Sequence, residues 1–232
     1  MKKRKNFPFF HLRKDFGEKL MDDWDVILKG VERTVDFLEQ ERVFDSHRLP
    51  TDIVIPMLVG LWGLAPDGLD EEGQARVILR RFLWRAFFTD RYERATNSRT
   101  VADFKELRKM VTNGGTANPD VFDEKEFPLP APEGLISGGW PIRKDRIPRA
   151  ILALALKKGG IDLADGSPAT RENLKKREYH HLFPVARLKE KGVEDNEIFK
   201  SLNCALVTWR TNRTIAAKEP EKYLAERRDG ND

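Results

Sequence analysis

The chain has 232 residues, of which 40% are apolar and 34% charged. That apolar share can bury a core and excludes wholesale disorder. The net formal charge is +4, with both signs interspersed, a balance that suits an anionic partner met through one face and equally suits an ordinary basic enzyme.

Periodicity then gives the elements in chain order. After Lys2-Lys3-Arg4-Lys5 the apolar stretch is only Phe7–Phe10, too short for a secretory core. No run approaches the roughly 20 apolar residues of a spanning helix, so no membrane role is expected. From Lys19 to Phe44 the apolar positions Leu20, Trp24, Ile27, Leu28, Val31, Val35 and Leu38 fall three or four apart and predict a helix. A second helix is expected over Thr51–Leu64, stopped by Pro66, with Pro56 either kinking it or marking its first turn. Glu71–Tyr92 predicts a third, with Arg76, Arg80, Arg81 and Arg85 as a basic stripe, most simply a solvated face. Val101–Val111 predicts a fourth. Asn113 to Pro141 is crowded with Pro and Gly and predicts a connector. Arg146–Leu156 predicts a short buried helix ended by Gly159-Gly160. The expected organisation is a helical domain over 1–112, a connector over 113–141, and a distinct unit over 142–232.

The single cysteine, Cys204, excludes an intrachain disulfide and a zinc ribbon. It points to a reducing cytosol, and its apolar run Leu202–Val207 predicts a buried, inert thiol.

Chemistry concentrates in the last quarter. Glu178–Phe183 predicts a short strand carrying His180 and His181, stopped by Pro184. A long loop leads to a second strand over Ala205–Trp209, and Thr211 is a plausible N-cap for a helix starting at Asn212. Pro220 should end or kink that helix. The arrangement suits phosphodiester hydrolysis. A neutral imidazole takes a proton from water near pH 7, and a metal ion offsets charge on the phosphate and leaving oxygen. Neighbouring histidines on a strand face opposite ways, so one can hold metal while the other activates water. Asn212 can give a side-chain oxygen from the helix start, where an anion is also favoured. Lys218, six residues along, could steady a phosphate.

The order His-His-x-x-Pro, then Asn203 before a strand, then Asn212-x5-Lys218 resembles the HNH (ββα-metal, His-Me finger) nucleases. Residues from about Ile147 to Leu224 are more narrowly similar to the C-terminal nuclease domain of GmrSD-type modification-dependent restriction proteins. The matching stretches are Arg149–Leu156 with its turn at Asp165-Gly166, Tyr179–Pro184, Thr211–Ile215 and Pro220–Leu224. Phe82–Asn97 resembles the preceding helical region less specifically. The expected fold is therefore mainly α, a helical bundle followed by a small αββα unit.

The resemblance implies His181 as general base, His180 and Asn212 as metal ligands, Asn203 as orienting His181 or bracing the loop, and Lys218 as an auxiliary phosphate contact. Many family members have Asp where this chain has His180. The nitrogen ligand shifts preference from Mg²⁺, the expected ion, towards Mn²⁺, Ni²⁺ or Zn²⁺. Glu178, on the same strand face as His180, could restore a carboxylate ligand. Arg177, Lys176, Arg187, Arg210 and Arg213 are expected to meet DNA, within a basic cluster that includes Arg171, Lys175, Lys189 and Lys191. The family's Asp-Gly-Gln-Gln-Arg motif is absent, and Glu72-Gly-Gln-Ala-Arg76 is only a faint echo. A partner or missing half bearing a nucleotide-binding domain is therefore expected. The implied function is a DNA endonuclease in restriction or anti-phage defence; the alternative is a catalytically silent DNA-binding or scaffolding subunit. His11 and His47 are expected to be non-catalytic. The five tryptophans, Trp24, Trp62, Trp84, Trp140 and Trp209, are expected in the core.

Overall fold

The computed structural model describes residues 15–141, 145–163, 165–215 and 218–229. His11 and the Lys2–Lys5 run lie outside them. The architecture is mainly helical with one two-stranded antiparallel hairpin near the C-terminal end. Among the described residues no helix is long and apolar enough to cross a membrane.

The predicted helix over 19–44 is two helices, α1 (Phe16–Asp22) and α2 (Trp24–Gln40). α3 (Val54–Leu64) carries Pro56 in its first turn, where the missing N–H goes unused, so the helix needs no kink. It ends because Ala65, before Pro66, is extended. α2 and α3 pack closely through two glycines. A Cβ on Gly30 would sit 2.1 Å from the Val59 carbonyl oxygen, and one on Gly63 2.5 Å from that of Val26. Any side chain at either position would push the helices apart.

α4 (Leu69–Phe88) and α5 (Thr96–Asn113) complete the bundle. Its core holds Phe37, Leu58, Leu61, Trp62, Leu79, Phe82, Phe87 and Leu107, all fully buried. Trp24 is not part of it; its side chain is exposed, because α2 turns that stripe outward. The basic residues of α4 are mostly consumed within the protein. Arg80 bonds Glu41 at 2.7 Å, Arg76 bonds Glu72 at 2.9 Å, and Arg81 lies 4.2 Å over the Phe122 ring.

Arg85 is buried, and it changes the picture of the 113–141 stretch. Its guanidinium donates to the carbonyls of Val121 (2.9 Å), Asp123 (3.1 Å) and Phe127 (2.5 Å). Val121 and Phe122 enter the bundle core, and Phe127 is buried as well. Prolines and glycines there shape the backbone, but the apolar side chains between them anchor it. The short α6 (Pro132–Ile136) follows, then α7 (Arg146–Lys157). α7 is shared. Ala150 and Ala153 belong to the bundle core, while Leu152 and Leu156 form a second, smaller core with Ala169, Leu174 and Leu206. The C-terminal unit thus rests on a helix that is also a wall of the bundle.

Two buried polar nodes brace the bundle. Asp103 accepts from Arg91 (2.9 and 3.1 Å) and from the Tyr92 hydroxyl (2.8 Å). Glu41, fully buried, accepts from Arg80 and from Trp84 Nε1 (2.9 Å) and pairs with Lys157 of α7 at 3.2 Å. Burial alone would raise the Glu41 pKa, but the bonds from Trp84, Arg80 and Lys157 outweigh it and hold the carboxyl below its ordinary value of 4.5. Ionised Glu41 therefore adds stability above that value, and the contribution is lost as pH falls through the depressed folded value. Glu41→Gln should cost roughly 3 kcal/mol at pH 7. It should also flatten the acid side of the stability curve below about pH 4.5, which urea melts across pH 3–7 would read.

Candidate active site

The site is built on β1 (Arg177–His181) and β2 (Cys204–Thr208), paired antiparallel with His180 opposite Ala205 and His181 opposite Cys204. α8 (Val185–Glu190) and α9 (Asp195–Ile198) occupy the loop between them, and α10 (Trp209–Ile215) packs against both strands. α11 (Pro220–Asp229) closes the chain. Its Tyr223 hydroxyl donates to the Leu182 carbonyl at 2.6 Å, just past the histidines.

α10 begins three residues earlier than the sequence suggests. Thr208, not Thr211, caps it, its hydroxyl accepting from the Thr211 N–H at 3.2 Å. Asn212 therefore sits within the first turn rather than at the start, and Lys218 lies beyond the helix end, exposed, between α10 and α11.

What fixes this turn is Asp162, which nothing in the sequence marks. Its buried carboxylate accepts from the Thr208 N–H (2.6 Å) and the Thr211 hydroxyl (2.5 Å). The side chain of Arg177 stands 3.8 Å away, itself fully buried. Arg177 also donates to the carbonyls of Ser167 and Pro168, both at 2.9 Å, and of Leu206 at 3.4 Å. Arg177 is consequently not a DNA contact. Its charge is spent inside the unit, stitching β1 to β2 and to Ser167-Pro168. Only its position in a basic run suggested otherwise. The other expected DNA contacts, Lys176, Arg187, Arg210 and Arg213, are exposed. Arg187 pairs with Glu190 at 3.2 Å, and Arg213 lies 5.1 Å over the ring of Trp209. Trp209, the first residue of α10, is 51% exposed and so lies outside the core.

On one face of β1, Glu178, His180 and Asn212 meet. The Glu178 carboxylate accepts from Asn212 Nδ2 at 2.6 Å, and Asn212 Oδ1 stands 2.7 Å from His180 Nδ1. A carboxylate only accepts, so Glu178 fixes which way the Asn212 amide points. The amide oxygen then requires the proton of His180 on Nδ1. The His180 Nε2 atom is buried with no hydrogen-bond partner, the kind of orphan that a bound ion or water completes. Among the described residues no three His, Cys, Asp or Glu side chains cluster to hold a metal. The donor set here is one carboxylate, one imidazole and one amide. The 2.6 and 2.7 Å contacts are hydrogen bonds made through protons on Asn212 Nδ2 and His180 Nδ1, so neither of those nitrogens can ligate, and the imidazole nitrogen left for an ion is Nε2. By donor chemistry the Nε2 nitrogen and the Glu178 carboxylate suit a divalent ion that keeps part of its water shell, and the nitrogen admits Mn²⁺, Ni²⁺ or Zn²⁺ beside Mg²⁺.

His181 faces the other way. Its ring stacks on Trp140 at 4.0 Å and 12°, with Phe199 edge-on at 4.9 Å. Burial, and then the charge of neighbouring His180, push its pKa below the usual histidine value, so the imidazole is neutral at pH 7. Its Nε2 is buried and unpartnered. Trp140, half-buried, is a contact the sequence does not signal. Asn203 braces the turn after His181: its Oδ1 accepts from the Phe183 N–H (2.7 Å), and its Nδ2 donates to the carbonyls of Ile198 (3.0 Å) and Phe183 (3.2 Å). Burial pushes the Cys204 thiol up to about 12, which makes it no nucleophile.

No family model matches the chain, and no solved structure matches it. The chain is similar to the uncharacterized protein MJ0686 of Methanocaldococcus jannaschii. The two are 25% identical over 153 residues, 64% of this chain and 25% of that protein. The chain thus spans about a quarter of the length of the curated relative it matches.

If Asp162 is the anchor of the α10 turn, Asp162→Asn should cost roughly 3 kcal/mol, since it leaves Arg177 buried without its counter-charge. Hydrogen exchange at the Thr208 and Thr211 amides should accelerate while the bundle amides of α3 and α4 stay protected. Unchanged protection at Thr208 would refute the anchoring role.

Proposed function

We propose that the chain carries a divalent-metal-dependent HNH-type endonuclease unit that hydrolyses DNA phosphodiester bonds, in restriction or defence against phage. The observation that carries the reading is the Glu178–His180–Asn212 cluster on one face of β1, bonded through 2.6 and 2.7 Å contacts. A divalent ion held there would offset the charge that develops on the phosphate and the leaving oxygen. His181, neutral at pH 7, accepts a proton from the attacking water as a bond to phosphorus forms and the bond from phosphorus to the leaving oxygen breaks. Asn203 holds the turn that follows the base. Lys176, Arg187, Arg210, Arg213 and Lys218 are exposed cations suited to the DNA backbone, and Trp209 beside Arg213 offers an exposed ring to a base. The match to only a quarter of the archaeal protein supports a companion segment or partner, for which a nucleotide-binding domain is our expectation.

One observation favours a second reading, a silent DNA-binding subunit. The His181 Nε2 atom is buried against Trp140 and Phe199 rather than open to water. One experiment separates the two. Plasmid DNA incubated with the full chain should be cut in Mg²⁺ or Mn²⁺ and spared in EDTA. His181→Ala should cut about 100-fold more slowly or worse with an unchanged circular dichroism spectrum. A folded His181→Ala protein that cuts like wild type would refute the nuclease assignment. Salt-dependent binding without any cutting by wild type would establish the silent subunit.

A further inference from the structure

The opposite face of β1 borders a cleft of about 530 Å³, lined by Asp45, His47, Arg48, Arg149, Lys175 and Tyr179 among others. Three cations face one carboxylate there. The Arg48 guanidinium is spoken for: it pairs with Asp45, donates to the Leu174 carbonyl at 3.4 Å, and lies 5.8 Å over the Tyr179 ring. Arg149 is not. It is half-buried, donates from Nη1 to the Leu49 carbonyl at 3.0 Å, and has no carboxylate partner among the described residues. Its Nε is buried with no hydrogen-bond partner at all. Lys175 on the rim is exposed and likewise has no carboxylate partner.

A guanidinium partly withdrawn from water without a counter-charge is costly unless an anion completes it. Its planar fork matches a phosphate, and Lys175 supplies a second point charge across the cleft. The cleft is larger than one phosphate needs, and its Tyr179 wall is extended by Trp140, whose ring lies 6.3 Å from that of Tyr179. We propose that this cleft is a phosphoester-binding subsite, with Arg149 and Lys175 as its anion ligands and room for an attached sugar. It is separate from the Glu178–His180–Asn212 face. Tyr179 and His181 share a strand face and stand two residues apart, about 7 Å along β1. If the endonuclease reading holds, that spacing lets a backbone phosphate of the cut DNA occupy the cleft while a neighbouring one lies by His181. A free nucleotide presents the same chemistry.

The test is equilibrium binding by the full chain in EDTA, so that no cutting intervenes. One arm uses a short fluorescein-labelled duplex over a salt series; the other uses ATP. Arg149→Gln and Lys175→Glu should each weaken binding in one arm about tenfold. In the duplex arm each should also lower the slope of log affinity against log salt by about one. Lys175 is exposed and unpaired, so its variant keeps the test valid even if Arg149→Gln disturbs the fold. A change confined to the duplex arm identifies a backbone phosphate, and one in the ATP arm a nucleotide. Unaltered affinities and slope for Lys175→Glu and a folded Arg149→Gln would overturn the subsite. A wild type that cuts plasmid while these variants bind normally refutes only the subsite. A wild type that never cuts while they lose binding refutes only the nuclease.

Discussion

The carboxylate of Asp162 is the point on which the C-terminal unit turns. It closes the end of β2 through Thr208, holds the first turn of α10 through Thr211, and stands beside the buried Arg177 that opens β1. β1, β2 and α10 are thereby registered against one buried charge. A charge so enclosed tolerates little displacement, because each lost partner leaves desolvation uncompensated. Asn212 stands one residue after Thr211, so the precision of the Glu178–His180–Asn212 cluster is inherited from this carboxylate rather than from the hairpin alone.

The two histidines divide their surroundings as the pleat requires. His180 enters a polar cluster in which a carboxylate sets an amide, and the amide sets a tautomer. His181 enters an aromatic sandwich that strips its water and keeps it neutral. Two identical side chains, adjacent in the chain, acquire different proton chemistry because successive residues of a strand see opposite faces.

Local pattern made much of this legible. The helices of the bundle follow from apolar spacing, the first strand from its stop at Pro184, and the second from its apolar and β-branched run. Glu178 and His180 share a face by period two alone, and α10 delivers Asn212 to it. What stayed hidden depends on pairing across distance. Asp162 reaches Thr208 over 46 positions, and no propensity announces it. Arg177 looks like any member of a basic run until its guanidinium is seen bonded to buried carbonyls and the Asn173 side chain, beside Asp162. Thr208 and Thr211 are equally good caps on paper, and only the buried carboxylate chooses between them. The 113–141 stretch misleads for a related reason: Pro and Gly describe its backbone, whereas Val121, Phe122 and Phe127 decide where it goes.

α7 serves two cores with alternate faces, Ala150 and Ala153 turned to the bundle and Leu152 and Leu156 to the hairpin unit. Its small residues let it lie close against α4, while its leucines fill the space under β2. Lys157, near its end, adds an ion pair to Glu41. Such a helix makes modular exchange difficult. A graft that takes the hairpin without α7 removes the floor of the smaller core, and one that takes α7 along opens a seam in the donor bundle. The two halves are thus bound to drift together in evolution, each substitution on one face of α7 being judged by the packing of the other.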